Sequence, residues 1–318
     1  MLGPRTAGLA AASVCLYWSG MAANDWADRD LDAAERPERP IPSGRITPPQ
    51  ALGVAAGLSA AGVALAALAG GRRALAVALP LAGAVWAYDL KAKNTPAGPA
   101  VMAACRGLDV LLGASPGQVV RAVPAALTVA AHTYTVTALS RREVSGADRA
   151  LPAATLAGTA AVAISAGLPA ARNGRGSAAW LAPLAPAPAA DSSRAGRFAP
   201  GPGLSRPRGL AGWLAPAPAP AAGSGRAGRF APGPGRGLAA AVPGVLAAWY
   251  AAGYGAAQAR VAADPTAAKV RAAVGAGITG LPPLQGALAA SAGAPAAGVA
   301  VAAIAPLARR LARLVSPT

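Results

Sequence analysis

AGLAAASVCLYWSGMAANDWADRDLD, residues 7–32, joins two kinds of chemistry that a soluble domain rarely places side by side. Residues 7–24 carry no charge, and a run of this length matches the roughly 17–25 residues needed to cross a hydrocarbon core. Asp25, Asp28, Asp30 and Asp32 follow at once. Eight further apolar stretches lie outward from this one, at 50–70, 74–89, 98–115, 122–139, 151–170, 239–258, 270–289 and 293–308. Together they predict an all-α fold: a polytopic transmembrane helical bundle of about nine spans. The stretch at 74–89 is short, and the one at 270–289 contains Pro282 and Pro283, which neighbouring helices can accommodate in a membrane.

Composition agrees. Hydrophobic residues make up 54% of the 318 and charged residues only 13%, against about 25% in an ordinary soluble domain. Aromatics contribute 4%, so Ala, Leu, Val and Gly supply the apolar mass, and small residues let membrane helices approach closely. A net charge of +17 would suit a nucleic-acid binder, but the charges sit in short clusters between apolar stretches, which excludes that class. Cys15 and Cys105 have no disulfide or metal-ligand spacing, and His132, inside an apolar run, reads as a buried structural residue.

Threading the chain through nine spans sorts the charges. Loops 25–49, 90–97, 140–150 and 259–269 fall on one side; with Asp89 at the edge of the second they hold ten of the twelve carboxylates, and they hold eleven Lys and Arg against four, Arg5, Arg72, Arg73 and Arg121, in the short loops of the other side. The excess of basic residues makes that side cytoplasmic, in an integral cell-membrane protein. The same threading starts the chain outside, so one preceding helix is expected to be missing. Residues 171–238 are of another composition, rich in Pro, Gly, Ala and Arg. RAGRFAPGPG at 194–203 recurs unchanged at 226–235. The chain therefore divides into 1–170, a 171–238 insertion expected to be disordered, and 239–318.

Asp25, Asp28 and Asp32 are spaced i, i+3, i+7 and share a helix face, where their mutual repulsion calls for a cation. Hard divalent ions with oxygen ligands suit that need, and magnesium typically takes one or two carboxylates plus substrate phosphates. A basic block, Arg36-Pro37-Glu38-Arg39-Pro40-Ile41-Pro42-Ser43-Gly44-Arg45, follows. Arg106 and Asp109, i and i+3 within the 98–115 stretch, are intramembrane charges able to pair across one helical turn.

The ordered stretch NDWADRDLDAAERPERPIPSGRI, residues 24–46, closely resembles the first aspartate-rich motif of the UbiA prenyltransferase family. The resemblance implies a magnesium-dependent membrane prenyltransferase that takes a prenyl diphosphate and a small aromatic or lipid acceptor. It implies that Asn24, Asp25, Asp28 and Asp32 hold Mg2+ on the diphosphate, with Arg36 and Arg39 as phosphate partners. In Tyr88-Asp89-Leu90-Lys91-Ala92-Lys93 it implies Tyr88 and Lys91 beside the diphosphate, and it gives Arg106 and Asp109 places on the cavity wall. The second aspartate-rich motif is altered to Ser140-Arg141-Arg142-Glu143-Val144-Ser145-Gly146-Ala147-Asp148. Glu143 and Asp148 are the expected ligands of a second ion there, and Arg141 and Arg142 the expected replacements for part of its charge. That alteration also supports the alternative of a non-catalytic family member that binds prenyl lipids. Prenyl chain length and acceptor identity are not legible.

Overall fold

A computed structural model of the chain describes residues 3–168, 234–307 and 310. The described residues form helices joined by short loops, with no strand among them. The 171–233 part of the expected insertion lies outside the described residues, and helix α7 begins at Pro234 rather than at 239.

Helix α1, Pro4–Ala27, starts with a proline in its first turn, where the missing N–H costs nothing. It gives way at Asp28 (φ −92°, ψ 4°) to α2, Arg29–Glu35. The hydrogen bonds Asp28 N to Asn24 O, Asp32 N to Asp28 O and Arg36 N to Asp32 O run on across that break, so the carboxylate spacing survives it. Helix α3, Pro48–Ala87, opens with Thr47, whose N–H donates to Gln50 Oε1 at 2.9 Å.

Although continuous by hydrogen bonding, α3 is two antiparallel arms. Gly71 (φ 66°, ψ −155°) reverses the chain, in a region of backbone space that is essentially glycine's. Trp86 Nε1 donates to Ser59 Oγ at 2.8 Å, although 27 residues along a straight helix would hold them about 40 Å apart. The expected stretches 50–70 and 74–89 are these two arms. A π turn, Tyr88–Ala92, ends the second arm, closed by Lys93 N donating to Tyr88 O at 2.9 Å.

Helices α4 (Gly98–Ala114), α5 (Val119–Ser140) and α6 (Ala150–Gly167) follow. Next comes α7 (Pro234–Tyr250), continued through a second π turn at Ala251–Gly255 into α8 (Ala256–Ala263). Helices α9 (Ala267–Ser291) and α10 (Pro295–Ala302) complete the described bundle. Pro282 and Pro283 do not interrupt α9; Pro283 and Leu284 are buried in it. Pro4–Ala27, Pro48–Ala92, Val119–Ser140 and Ala150–Gly167 are long and apolar enough to cross a membrane, the second of these being the folded-back hairpin.

Two apolar clusters hold the helices. One joins α1, α3 and α4 through Leu9, Leu16, Ala66, Leu81 and Leu112. Here a Cβ on Gly62 would stand 2.8 Å from Leu16 Cγ, so glycine sets the approach of α1 to the hairpin. Ser19 Oγ adds a polar staple, donating to Ala55 O at 2.9 Å and lying 2.5 Å from Ser59 Oγ. The other cluster joins α5 to α10 through Leu139, Val162, Leu246, Tyr250, Tyr254, Val270 and Leu284. His132 is buried in it, its Nδ1 2.9 Å from Tyr250 Oη, the structural role expected for it.

The hairpin reversal yields a direct test. Gly71→Ala should destabilise the folded protein by about 1–3 kcal/mol, because alanine avoids that conformation. Gly53→Ala, in the same helix with open space around it, should be neutral or mildly stabilising. Thermal unfolding in detergent reads both, and equal midpoints for the two variants would contradict the reversal.

Candidate functional site

The loops after α1, after the α3 hairpin and after α5 meet at one end of the bundle. Lys93 Nζ donates to Asp28 Oδ1 at 2.5 Å, which ties the π turn to the end of α1. Arg141 donates to Lys93 O at 3.0 Å and Thr95 O at 2.7 Å, which ties the loop after α5 to the same place. Beyond it, Ala147 N donates to Pro265 O at 3.1 Å and Arg271 donates to Glu143 O at 2.9 Å. The sequence threading placed these loops on one side, and the structure brings them into contact.

Arg39 supplies the cation for the first motif. A single guanidinium nitrogen lies 2.9 Å from Asp25 Oδ1 and 3.0 Å from Asp32 Oδ2. Asp32 is 5% exposed, so removing Arg39 would leave a buried charge unopposed, at a cost of about 3–5 kcal/mol. Asp89, also 5% exposed, comes from the π turn and accepts a long 3.5 Å hydrogen bond from Asn24 Nδ2. Asn24, Asp25, Arg39, Tyr88 and Asp89 form the polar mouth of a cavity of about 400 Å³ between α1, the second arm of α3 and α4. Leu16, Met21, Leu81, Val85 and Met102 line its wall, and Arg106 and Asp109 stand at its inner end.

The expected residues are not all there. Arg36, Lys91 and Arg142 are exposed and do not line the cavity. Lys93, not Lys91, turns toward the carboxylates, because Asp89 and Lys93 share a face one turn apart while Lys91 falls opposite. Arg106 and Asp109 make no ion pair among the described residues: Asp109 Oδ1 accepts from Ser13 Oγ at 2.6 Å, and Arg106 lies 3.9 Å above the Tyr17 ring. Asp148 is spent on a cap, accepting from Leu151 N at 2.9 Å in the first turn of α6. Glu143 points to a half-buried position where desolvation raises its pKa and Arg271 opposes the rise. Asp89, Lys93 and Tyr17 had no pattern to announce them; a carboxylate at the end of an apolar stretch was the one available signal, for Asp89.

Whether the mouth suits magnesium can be asked of its donors. One guanidinium nitrogen already bridges two carboxylate oxygens where a cation is needed, and the carboxylates Asp25, Asp28 and Asp32 are hard oxygen donors. Among the described residues no three His, Cys, Asp or Glu side chains are gathered closely enough to hold an ion alone. That fits an ion completed by substrate phosphates.

The sequence profile of the UbiA prenyltransferase family matches residues 3–189, more than half of the 318. The chain belongs to that family. It is 38% identical over 118 residues to digeranylgeranylglyceryl phosphate synthase of Methanopyrus kandleri, covering 37% of this chain and 42% of that one. The corresponding protein of Methanothrix thermoacetophila is 38% identical over 112 residues, 34% of this chain and 42% of that one. Bacteriochlorophyll synthase 33 kDa chain of Rhodobacter capsulatus is 37% identical over 84 residues, 26% of this chain and 27% of that one. The matched region thus spans less than half the length of these relatives. No solved structure matches.

The two lysines separate sharply. If the site handles a prenyl diphosphate, as proposed below, Lys93→Ala should lower its turnover by about 100-fold or more, as loss of a charge-stabilising donor does. Lys91→Ala, at an exposed position, should stay within about threefold. Steady-state rates of purified variants decide, and the reverse ranking would return the role to Lys91.

Proposed function

We propose that the protein is a membrane prenyltransferase that moves an isoprenyl group from a prenyl diphosphate to a small aromatic or lipid acceptor. The observation that carries this reading is the cavity: its mouth gathers Asn24, Asp25, Arg39 and Asp89, and its wall is apolar. Diphosphate and hydrocarbon ask for those two surfaces in that order. The relatives above are named for different products, a glyceryl phosphate lipid and a bacteriochlorophyll, so the acceptor class does not transfer from them.

In this reading Asp25, Asp28 and Asp32 hold Mg2+ on the diphosphate, with Asn24 beside them. When bound, the ion supplies Lewis-acid stabilisation of the leaving group. Arg39 and Lys93 are already at the carboxylates and become phosphate donors as the diphosphate arrives. Tyr88 lies at the mouth and orients the substrate there. The C–O bond to the diphosphate breaks, leaving an allylic cation among Leu16, Leu81, Val85 and Met102, where exclusion of water suppresses hydrolysis. The acceptor's electron pair then forms the new bond to the allylic carbon, and the proton the acceptor gives up leaves with the diphosphate. Arg141, tied to the 93–95 backbone, holds the lysine loop in place rather than replacing a second ion. Nine crossings, membrane lipids as surroundings and no nucleic-acid partner complete the proposal.

Asp28→Asn should reduce magnesium-dependent diphosphate release from prenyl diphosphates by about 100-fold or more while the protein still purifies as folded. Near-normal release from this variant would remove the first motif from the chemistry.

Sidedness has its own test. Ser43 and Ser145, both exposed, lie in loops of the site end, and Arg72 lies beside the hairpin reversal. In intact cells an impermeant maleimide should label Arg72→Cys but not Ser43→Cys or Ser145→Cys, with all three labelled after permeabilisation. Outside labelling of Ser43→Cys would invert the proposed orientation.

A further inference from the structure

We propose that Asp89, which lies outside both aspartate-rich stretches, is a ligand of the divalent cation at the cavity mouth and shares it with Asn24; this rests on the prenyl-transfer reading above. Helix α1 and the end of the second α3 arm run parallel here, in a register that repeats every turn. A Cβ on Gly20 would stand 2.8 Å from Val85 Cγ1 and 3.6 Å from Asp89 Oδ2, so glycine sets this close approach. One turn on, Asn24 Nδ2 lies 3.5 Å from Asp89 Oδ1. One turn further, Lys93 Nζ donates to Asp28 Oδ1 at 2.5 Å. Gly20, Asn24 and Asp28 thus present one face of α1 to the arm, and Val85, Asp89 and Lys93 answer them in turn.

The last of these contacts is matched in charge and the one before it is not. Asp89 is 5% exposed, yet among the described residues no Lys or Arg nitrogen lies within ion-pair distance of it. Its hydrogen bond from Asn24 is at the long limit and engages Oδ1 alone. Oδ2 takes no hydrogen bond among the described residues, and the side chain lines the cavity. A buried carboxylate in that condition calls for a cation.

A diphosphate entering the mouth brings more negative charge toward Asp89, so the cation must face both. Magnesium does so, taking one or two carboxylates and completing its shell with substrate phosphates. Neighbouring oxygens on its octahedron stand about 3 Å apart. The 3.5 Å between the Asn24 amide and Asp89 Oδ1 is close to that spacing, and the amide offers its oxygen there when turned over. The loop after α5 supplies no rival ligand: Asp148 caps α6, and Glu143 does not line the cavity. Asp89 is therefore the carboxylate that meets the ion from across the mouth, opposite α1.

The test titrates the purified full chain in detergent with premixed Mn2+–pyrophosphate, and separately with pyrophosphate free of metal, both read by calorimetry. Asp89→Asn keeps the shape of the side chain and should weaken binding of the Mn2+ complex about tenfold or more. The same variant should bind metal-free pyrophosphate at least as tightly as wild type, because a repelling charge is gone. Glu143→Gln should stay within about twofold of wild type for both probes. Asp89→Cys should shift preference from Mn2+–pyrophosphate toward Zn2+–pyrophosphate about tenfold or more beyond the wild-type ratio, since thiolate selects the softer ion. Should Asp89→Asn fail to fold, Asp89→Cys decides alone, and a metal preference equal to wild type overturns the proposal. Wild-type affinity of Asp89→Asn for the Mn2+ complex overturns this proposal only. Equal loss with and without metal also overturns it, by making Asp89 a structural residue. Absence of metal-dependent pyrophosphate binding in the wild type overturns the prenyl-transfer reading and this proposal with it.

Discussion

Repulsion among carboxylates at the end of α1 constrains everything around it. Asp25, Asp28, Asp32 and Asp89 converge at one end of the bundle, and neither water nor lipid alone stabilises so much like charge at a half-buried position. Arg39 answers for Asp25 and Asp32, and Lys93 for Asp28. Each of those cations comes from a different loop, so the charge balance also determines where the loops go. The 36–46 loop folds back over α2 because Arg39 must reach two carboxylates. The turn after α3 packs against α1 because Lys93 must reach a third. Arg141 then fastens the loop after α5 to that turn through backbone carbonyls. A cluster that needs cations in the resting protein is also one that can exchange them, handing its oxygens to a metal and its cations to a phosphate.

Much of this was legible in the chain. The apolar stretches announced the helices, and each of them overlaps a helix among the described residues, although 151–170 and 293–308 run past the ends of α6 and α10. The first motif announced itself through spacing, since i, i+3, i+7 carries a face even across the break at Asp28. What stayed hidden depends on local backbone geometry. Nothing in the residues says that the turn after Ala87 widens into a π turn. Nor does i, i+3 spacing reveal that Arg106 and Asp109 each prefer a partner on α1, Tyr17 and Ser13, over one another. Spacing within one helix describes what can meet; packing between helices selects among the options.

The two halves of the bundle use their polar residues differently. In the α1–α4 half, Asn24, Asp25, Asp89, Arg106 and Asp109 face a cavity. In the α5–α10 half several are spent on structure, although Thr159 Oγ1 and the Gln258 amide are buried without a partner among the described residues. His132 meets Tyr250, Tyr254 Oη donates to Thr135 Oγ1 at 3.3 Å, Asp148 caps α6, and Glu143's carbonyl holds Arg271. The altered second motif is consistent with that division. Its acidic positions have become joints between α5, α6 and α9, and the charge that reaches the site from it is Arg141's.

The π turn at Tyr88–Ala92 carries an evolutionary consequence. A π turn is a helix that has absorbed one residue more than its neighbours require. Loss of one residue between Asp89 and Lys93 would restore ordinary α geometry and leave the chain on either side in the directions it already has. The aspartate and the lysine would then stand three residues apart and still share a face. The turn can therefore shed its extra residue without giving up the lysine that reaches Asp28. Within a lineage, length variation at this one turn would be a weaker trace of lost chemistry than substitution of Lys93 itself.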